Sequence, residues 1–297
     1  MGWFRKSLLV LGLLAFFVGL GSSAIIYAAA DGFRGSTKSE TVEKKASAEG
    51  VRSIVIRSDI SDVHFVAGSG NEMQFRLIGP ARGRGLDASA LELKTEDGTL
   101  TAEVGVRHEI GNWFEFDLFD LVSLINGTYT GLRLEVALPD RTFETITADT
   151  EYGDLVADQS LKADNLKFNT KFGDIELDEI NAKSIETVAV YGDIELRNIR
   201  AAESVKTVTS YGDIRTSFAA MAQTAAFTSE FGDIEILLPG MSQLRVDLQN
   251  EMGRLETNLP GLQYETFNNH AAKGELGSGG PLLSARSSFG KLNVRMK

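Results

Sequence analysis

The sequence lacks cysteine altogether, which excludes a disulfide framework and thiolate catalysis. Its three histidines, His64, His108 and His270, stand in no metal-binding spacing such as HExxH, and no Gly-x-Ser-x-Gly nucleophile motif occurs. The net charge of −11 argues against nucleic-acid binding, because such binding needs a basic surface. Only 5 prolines accompany 30 glycines, a balance that fits a protein of strands and turns.

Residues 8–30 contain no charged side chain, and Arg5 and Lys6 precede them. A helix of this length would span roughly 34 Å, enough for the ~30 Å hydrocarbon core of a bilayer. We therefore predict that residues 1–30 form a single-pass membrane anchor, with the positive flank in the cytoplasm and the rest of the chain extracytoplasmic. The alternative is a signal peptide cleaved near Ala28, which would release a secreted protein.

Residues 31–50 are polar and show no periodicity, so they predict a flexible tether. Residues 51–140 alternate in short strands and predict an N-terminal β region, with an Asp97-Gly98 hairpin turn. An insertion at residues 112–125 breaks this pattern with apolar residues at helical spacing. It either caps the β core or contacts a membrane-protein or cell-wall partner, and the candidate contact residues are Trp113, Phe114, Phe116 and Phe119.

A tetrapeptide of aromatic residue, glycine, aspartate and aliphatic residue recurs along residues 141–297. The five full copies are Tyr152-Gly153-Asp154-Leu155, Phe172-Gly173-Asp174-Ile175, Tyr191-Gly192-Asp193-Ile194, Tyr211-Gly212-Asp213-Ile214 and Phe231-Gly232-Asp233-Ile234. Their glycines are 20, 19, 20 and 20 residues apart. Degenerate copies begin at Met252, Lys273 and Phe289, and we interpret them as a C-terminal cap. Such a fixed period predicts an all-β fold, a parallel β-helix with coils of about 20 residues.

Stacking these coils would align equivalent residues one strand spacing apart. We expect an internal column of isoleucines and a second column of aromatic rings, with glycine needed at a restricted corner. The aspartates would bind the backbone N–H groups of their own turn, as in Asx-turns. A row of calcium sites is the alternative for these carboxylates, although the glycine-rich nonapeptide of calcium-binding β-rolls is absent. We therefore assign no cofactor and no metal.

The aligned acids on one strand position allow a second interpretation. Glu176, Glu195 and Glu235 would project from successive coils, with Arg215 among them. Paired carboxylates can cleave glycosidic bonds, so a polysaccharide-acting enzyme on a β-helix is the alternative function. Repetition by itself also produces such pairs. We therefore favour a protein that is not an enzyme, and a unique set of residues in a cleft would favour the alternative.

The repeats carry a family resemblance, together with the Asp62-Val63 pair and a strand from Leu132 that ends at Pro139. The chain resembles the bacterial "putative adhesin" family of unknown function, and with its N-terminal segment it is similar to LiaG-like membrane-anchored envelope proteins. The resemblance implies a right-handed parallel β-helix that faces outward from the cell membrane. Our preferred interpretation is a non-catalytic interaction or structural module of the cell envelope, and the similarity to LiaG-like proteins implies a link to an envelope stress response.

Overall fold

The structure is a computed structural model that describes residues 39–80, 86, 88–105 and 131–297. The predicted anchor at residues 1–30 and the insertion at residues 112–125 lie outside these ranges. The described residues within Thr41–Gly79 and Leu86–Lys297 form one compact unit. No helix within the described ranges has the length and apolar character needed to cross a bilayer.

The described residues form 22 strands and one short 3₁₀ helix at Ala88–Ala90. In chain order the strands are β1 (Ser39–Ser47), β2 (Ser53–Ser58), β3 (Asp62–Ala67), β4 (Glu72–Pro80), β5 (Leu91–Glu96), β6 (Thr99–Val104), β7 (Arg133–Leu138), β8 (Phe143–Tyr152), β9 (Leu155–Ala157), β10 (Leu161–Phe172), β11 (Ile175–Asp178), β12 (Ile180–Tyr191), β13 (Ile194–Tyr211), β14 (Ile214–Ala220), β15 (Thr224–Phe231), β16 (Ile234–Leu238), β17 (Leu244–Asn250), β18 (Leu255–Asn258), β19 (Gln263–Phe267), β20 (Ala271–Leu276), β21 (Leu282–Phe289) and β22 (Leu292–Met296).

Parallel pairing between successive repeats builds the stack of coils that the sequence predicts. Each coil contributes a long strand that ends at the aromatic residue and a short strand that begins at the aliphatic residue. In the long-strand sheet, β10 pairs with β8 and β12, and Phe172 lies in register with Tyr152 and Tyr191. In the short-strand sheet, β11 pairs with β9 and β13, and Ile175 lies opposite Ile194. The all-β, solenoid-like fold is therefore confirmed, whereas its handedness stays a prediction.

The core lies inside the coils, and alternation along each strand fills it. Ile175, Ile194, Ile214 and Ile234 are completely buried and form the predicted internal column. Since each buried isoleucine removes an apolar side chain from water, it contributes roughly 1.5–3 kcal/mol. One coil has too few such residues to be stable alone, so the column stabilises the coils only as a stack.

The order of the coils in space departs from their order in the chain at both ends. At the N-terminal end, β2 pairs in parallel with both β6 and β8, and β3 pairs with both β7 and β9. The first coil therefore lies between the second and the third. The antiparallel strands β5 and β4 then cover the outer edges of β6 and β7. The strands of residues 51–140 thus belong to the same stack as the repeats.

At the C-terminal end, too, one coil lies between two coils that precede it in the chain. The last coil, β21 and β22, lies between β15–β16 and β17–β18, pairing in parallel with all four strands. The antiparallel strand β20 covers the outer edge of β17, and β19 pairs with β20. Residues 244–276 therefore form the cap, whereas the copy at Phe289 belongs to the regular stack.

One segment assignment is wrong. The tether predicted for residues 31–50 includes Ser39–Ser47, which form strand β1 beside β4. Every second residue of β1 is partly shielded, and Val42 and Ala46 pack against the core. The small number of apolar side chains concealed this alternation, because an edge strand packs on one face only.

Candidate functional site

The glycine of each repeat lies where two coils approach most closely. A Cβ atom on Gly192 would stand closer than 3.0 Å to the carbonyl oxygen of Gly173, and one on Gly212 would meet the oxygen of Gly192 in the same way. Both obstacles are backbone atoms that cannot rotate away. The restricted corner conformation expected from the sequence is also present, with a φ of 159° at Gly192, but Gly212 has no positive φ, so contact between coils alone requires glycine there.

Buried hydroxyl groups satisfy the glycine carbonyls from inside the stack. Thr170 Oγ1 donates to the Gly153 oxygen at 3.2 Å, and Thr209 Oγ1 donates to the Gly192 oxygen at 3.0 Å. Ser229 Oγ repeats the bond to Gly212 at 3.0 Å. At these three corners an inward hydroxyl two residues before the aromatic ring gives the glycine carbonyl a partner, whereas Ala189 holds this position before Tyr191.

The aspartates link each corner to the next coil. The Oδ1 atom of Asp154 accepts the Asp174 N–H at 2.8 Å, and Asp174 accepts the Asp193 N–H at 2.7 Å. The series begins at Asp62 and continues through the remaining repeats to Lys291, whose N–H donates to Asp233 Oδ1 at 2.7 Å. The expectation that each aspartate binds its own turn is wrong, because stacking brings an amide of the neighbouring coil within reach of the carboxylate.

Asp174 belongs to this row, and its pKa lies above the ordinary value. Burial raises the pKa of Asp174 above its ordinary value of 3.8, while the bond from the Asp193 N–H lowers it. The carboxylates of Asp154 and Asp193 raise the pKa further through repulsion. The charge on Asp174 is therefore unfavourable in the folded protein, although its Oδ1 atom is a useful hydrogen-bond acceptor.

We expect Asp174→Asn to be more stable than the wild type near neutral pH. Because the folded-state pKa is raised, the contribution of Asp174 to stability is fully present below the ordinary value of 3.8 and is lost as pH rises through the folded pKa. Asparagine keeps the acceptor oxygen and removes the charge, so the difference should vanish in acid. Urea unfolding of both proteins at about pH 7 and about pH 3 measures it. A variant less stable than the wild type at neutral pH would contradict this prediction.

The aromatic rings stack in one row along the outside of the corners. This aromatic column consists of Tyr152, Phe172, Tyr191, Tyr211, Phe231 and Phe289. Successive ring centroids are 4.8–5.0 Å apart and the ring planes differ by at most 8°. The exposed fraction of these residues is 40–52%. The aligned column is confirmed, and it lies outside the core.

The row of Glu176, Glu195, Arg215 and Glu235 also aligns as the sequence predicts. Its members form ion pairs along the surface: Glu195 with Arg197 at 2.8 Å, and Glu235 with Arg295. Arg215 contacts the carboxylates of Asp193 at 3.5 Å and Asp213 at 2.6 Å. These residues repeat along a sheet with exposed side chains. The unique residues in a cleft that would favour the enzymatic alternative are not found in this row.

The remaining candidates are a metal site, the histidines and the residues of the insertion. Among the residues that the structure describes, no group of three His, Cys, Asp or Glu side chains could hold a metal ion. Burial lowers the pKa of His64, which lies on β3 opposite Glu135. The proposed contact residues Trp113, Phe114, Phe116 and Phe119, like His108, lie outside the described ranges, so their role stays a prediction.

Comparison with known proteins agrees with this geometry. A family model described as Toastrack DUF4097 matches residues 51–209 and 88–295. The chain belongs to the Toastrack DUF4097 family. The two overlapping matches cover the repeats and both ends of the stack, including the N-terminal strands that lack the full tetrapeptide. No curated protein matches the chain.

Several solved structures resemble the chain over most of its length. A "putative adhesin" from Bacteroides fragilis is 13% identical, with 88% of this chain and 98% of that chain covered and a TM-score of 0.46. A "putative adhesin" from Parabacteroides distasonis is 11% identical, with 87% and 97% covered and a TM-score of 0.44. A "putative lipid binding protein" from the same species is 13% identical, with 89% and 98% covered and a TM-score of 0.41.

Proposed function

We propose that the protein is a non-catalytic interaction module of the bacterial cell envelope and that the aromatic column is its contact surface. Residues 8–30 anchor it in the cell membrane, and the stack of coils faces outward. In this position the protein takes part in the envelope stress response that the resemblance implies. The observation that carries the proposal is the row of half-exposed rings. Contiguous exposed apolar surface of this kind is typical of interaction sites, and aromatic residues are enriched where proteins bind each other.

Stacking between coils does not by itself explain the rings. At one end of the column Ile60 occupies the ring position, next to Asp59, whose carbonyl accepts the Tyr152 N–H at 3.0 Å. At the other end Met252 occupies the ring position, and the Met252 N–H donates to the Ser288 carbonyl at 2.9 Å. The same corner therefore forms with aliphatic side chains. The rings supply additional apolar surface, mainly ring edges, that the backbone does not require.

The repetition of the rings along the stack explains how this surface binds a partner. Each coil adds one ring, so a partner that spans several coils makes several equivalent contacts at once. The strands hold successive rings at a fixed spacing, and little conformational entropy is lost when a partner binds to a rigid surface. Individually weak contacts can then sum to a specific interaction.

Site-specific photo-crosslinking tests the proposal in the full-length chain in its own cell. A photoreactive benzoylphenylalanine replaces Tyr191 in one variant and Asn181, an exposed residue of the same strand β12, in the control. We expect a discrete higher-mass adduct from position 191 and none from position 181, because only position 191 lies in the column. Adducts at neither position, or equally at both, would contradict a contact surface at the rings.

A further inference from the structure

The two flanks of the aromatic column differ in charge. The flank that precedes the rings is mixed, with Glu151 paired to Lys171 at 2.8 Å, uncharged residues at Val190 and Ser210, and one further acid, Glu230. The flank that follows the rings carries the aspartate of every repeat and, two residues later, the row of Glu176, Glu195, Arg215 and Glu235. A ligand on the column therefore has a predominantly acidic surface along one side.

Arginines neutralise the middle and far parts of this acidic flank. Arg215 contacts both Asp193 and Asp213, while Arg197 lies 2.8 Å from Glu195. Arg295 pairs with Glu235. The negative charge of these coils is therefore largely satisfied within the protein.

The near part of the flank has no such compensation. Asp154, Asp174 and Glu176, which we call the acidic patch, form no ion pair within the part of the chain that the structure describes. Burial is the main cause of the raised pKa of Asp174, and repulsion from the neighbouring carboxylates of Asp154 and Asp193 adds to it. Phe172 lies two residues from Asp174, so uncompensated carboxylates and exposed rings meet at one corner of the stack.

We propose that the Tyr152–Tyr191 end of the aromatic column binds a segment of a protein partner that presents lysine or arginine side chains. This inference rests on the proposed function and names the chemistry of the partner. The charged head of such a side chain would contact the acidic patch, and its aliphatic stem would lie on the ring edges of Tyr152, Phe172 and Tyr191. Long basic side chains suit this combination because they join an apolar stem to a cationic head.

Charge and ring geometry disfavour other occupants. A second copy of this chain would bring an acidic patch against an acidic patch, and each copy carries a net charge of −11. An anionic lipid surface or an acidic polysaccharide would be repelled for the same reason. A neutral sugar would stack on a ring face, but neighbouring rings at 4.9–5.0 Å cover the faces of Phe172 and Tyr191 and leave mainly their edges exposed.

Binding of defined peptides to the full-length protein tests the inference. The probe is a fluorescent seven-residue peptide that alternates lysine and glycine, and its matched peptides carry glutamine or glutamate in place of lysine. Fluorescence anisotropy should show binding of the lysine peptide, at least about fivefold tighter than the glutamine peptide and weaker as salt is added. Binding of the glutamine or glutamate peptide with equal affinity would overturn the inference.

Paired variants separate a local site from general attraction to an acidic protein. Asp174→Asn with Glu176→Gln should weaken binding of the lysine peptide at least about fivefold, and Tyr191→Ser should also weaken it. The control, Glu49→Gln with Asp97→Asn, removes the same charge at exposed turns and should change the affinity less than about twofold. An equal loss in the control, or no loss in Tyr191→Ser, would overturn the inference.

The two proposals fail in distinguishable ways. A crosslink at position 191 without binding of the lysine peptide would retain the contact surface and overturn a basic partner segment. Absence of the crosslink overturns the contact surface itself, and with it this inference, because the rings would then take no part in recognition.

Discussion

Gly192→Ala should destabilise the folded protein by about 3 kcal/mol or more, since even one methyl group forces two backbones apart in a tightly packed stack. The added Cβ would lie closer than 3.0 Å to the Gly173 oxygen and would also approach Asp174 Oδ1. Moving Gly192 outward would lengthen the bond from the Asp193 N–H to Asp174. Equilibrium unfolding in urea, followed by circular dichroism, measures the loss.

Gly105→Ala is the control for this substitution, and Gly212→Ala should be destabilised like Gly192→Ala, because Gly212 has the same close contact without the positive φ of 159° found at Gly192. No described residue lies within 4 Å of a Cβ placed on Gly105, which also lacks a positive φ. We therefore expect its free energy of unfolding to stay within about 0.5 kcal/mol of the wild type. If Gly192→Ala and Gly105→Ala unfolded at the same urea concentration, close approach of the coils would not be the reason for glycine in the repeat.

The sequence predicts the regular part of the stack well, because a period near 20 residues and alternation within it are both local patterns. Ile175 and Ile194 are buried as expected, and Asp97 and Gly98 form the hairpin turn between β5 and β6 with φ values of 50° and 78°. A stacked fold repeats one local solution. The same few residues therefore determine many coils at once.

The position of the rings could not be derived from alternation. Thr170 is buried, and Phe172 has the same parity along β10, so simple alternation would place the ring inside. The strand ends at Phe172 and the chain turns at the following glycine, which directs the ring outward. The corner therefore decides whether the last residue of a strand points inward or outward. Because contact with another coil forms the corner, the strand's own alternation does not predict the direction.

Local sequence patterns also could not predict the hydrogen-bond partner of each aspartate or the order of the last coils. Asp174 binds an amide 19 residues away, a distance that only the completed stack closes. One signal for the C-terminal order was present, however. Phe289 retains the aromatic residue that Met252 lacks, and the column continues from Phe231 directly to Phe289. The presence of the ring, rather than position in the chain, identifies the next coil.

This order leads to the second large expected effect. Removing residues 282–297 should unfold residues 244–276, although these remain in the chain. Within the described residues, β17 pairs with β20 and β21, and β18 pairs with β22, so the cap contacts the repeats through the last coil. Truncation also removes the buried side chains of Leu283, Ala285, Leu292 and Val294. Hydrogen exchange should then show loss of amide protection throughout β17–β20, while β8–β13 stay protected because each coil is stabilised by its own neighbours.

Removal of Lys297 alone is the control for the truncation. It eliminates one bond, from the Lys297 N–H to the Leu238 carbonyl at 3.0 Å, and leaves β21 and β22 fully paired. We expect protection of residues 244–276 to be unchanged in this variant, since an exposed terminal bond contributes only about 1 kcal/mol. Protection of β17 that survived the longer truncation would mean that β17 and β18 pair directly with β15 and β16. The last coil, β21 and β22, would then not be needed to hold the cap. The order of the coils would follow from competition between β17 and β21 for the same edge of β15.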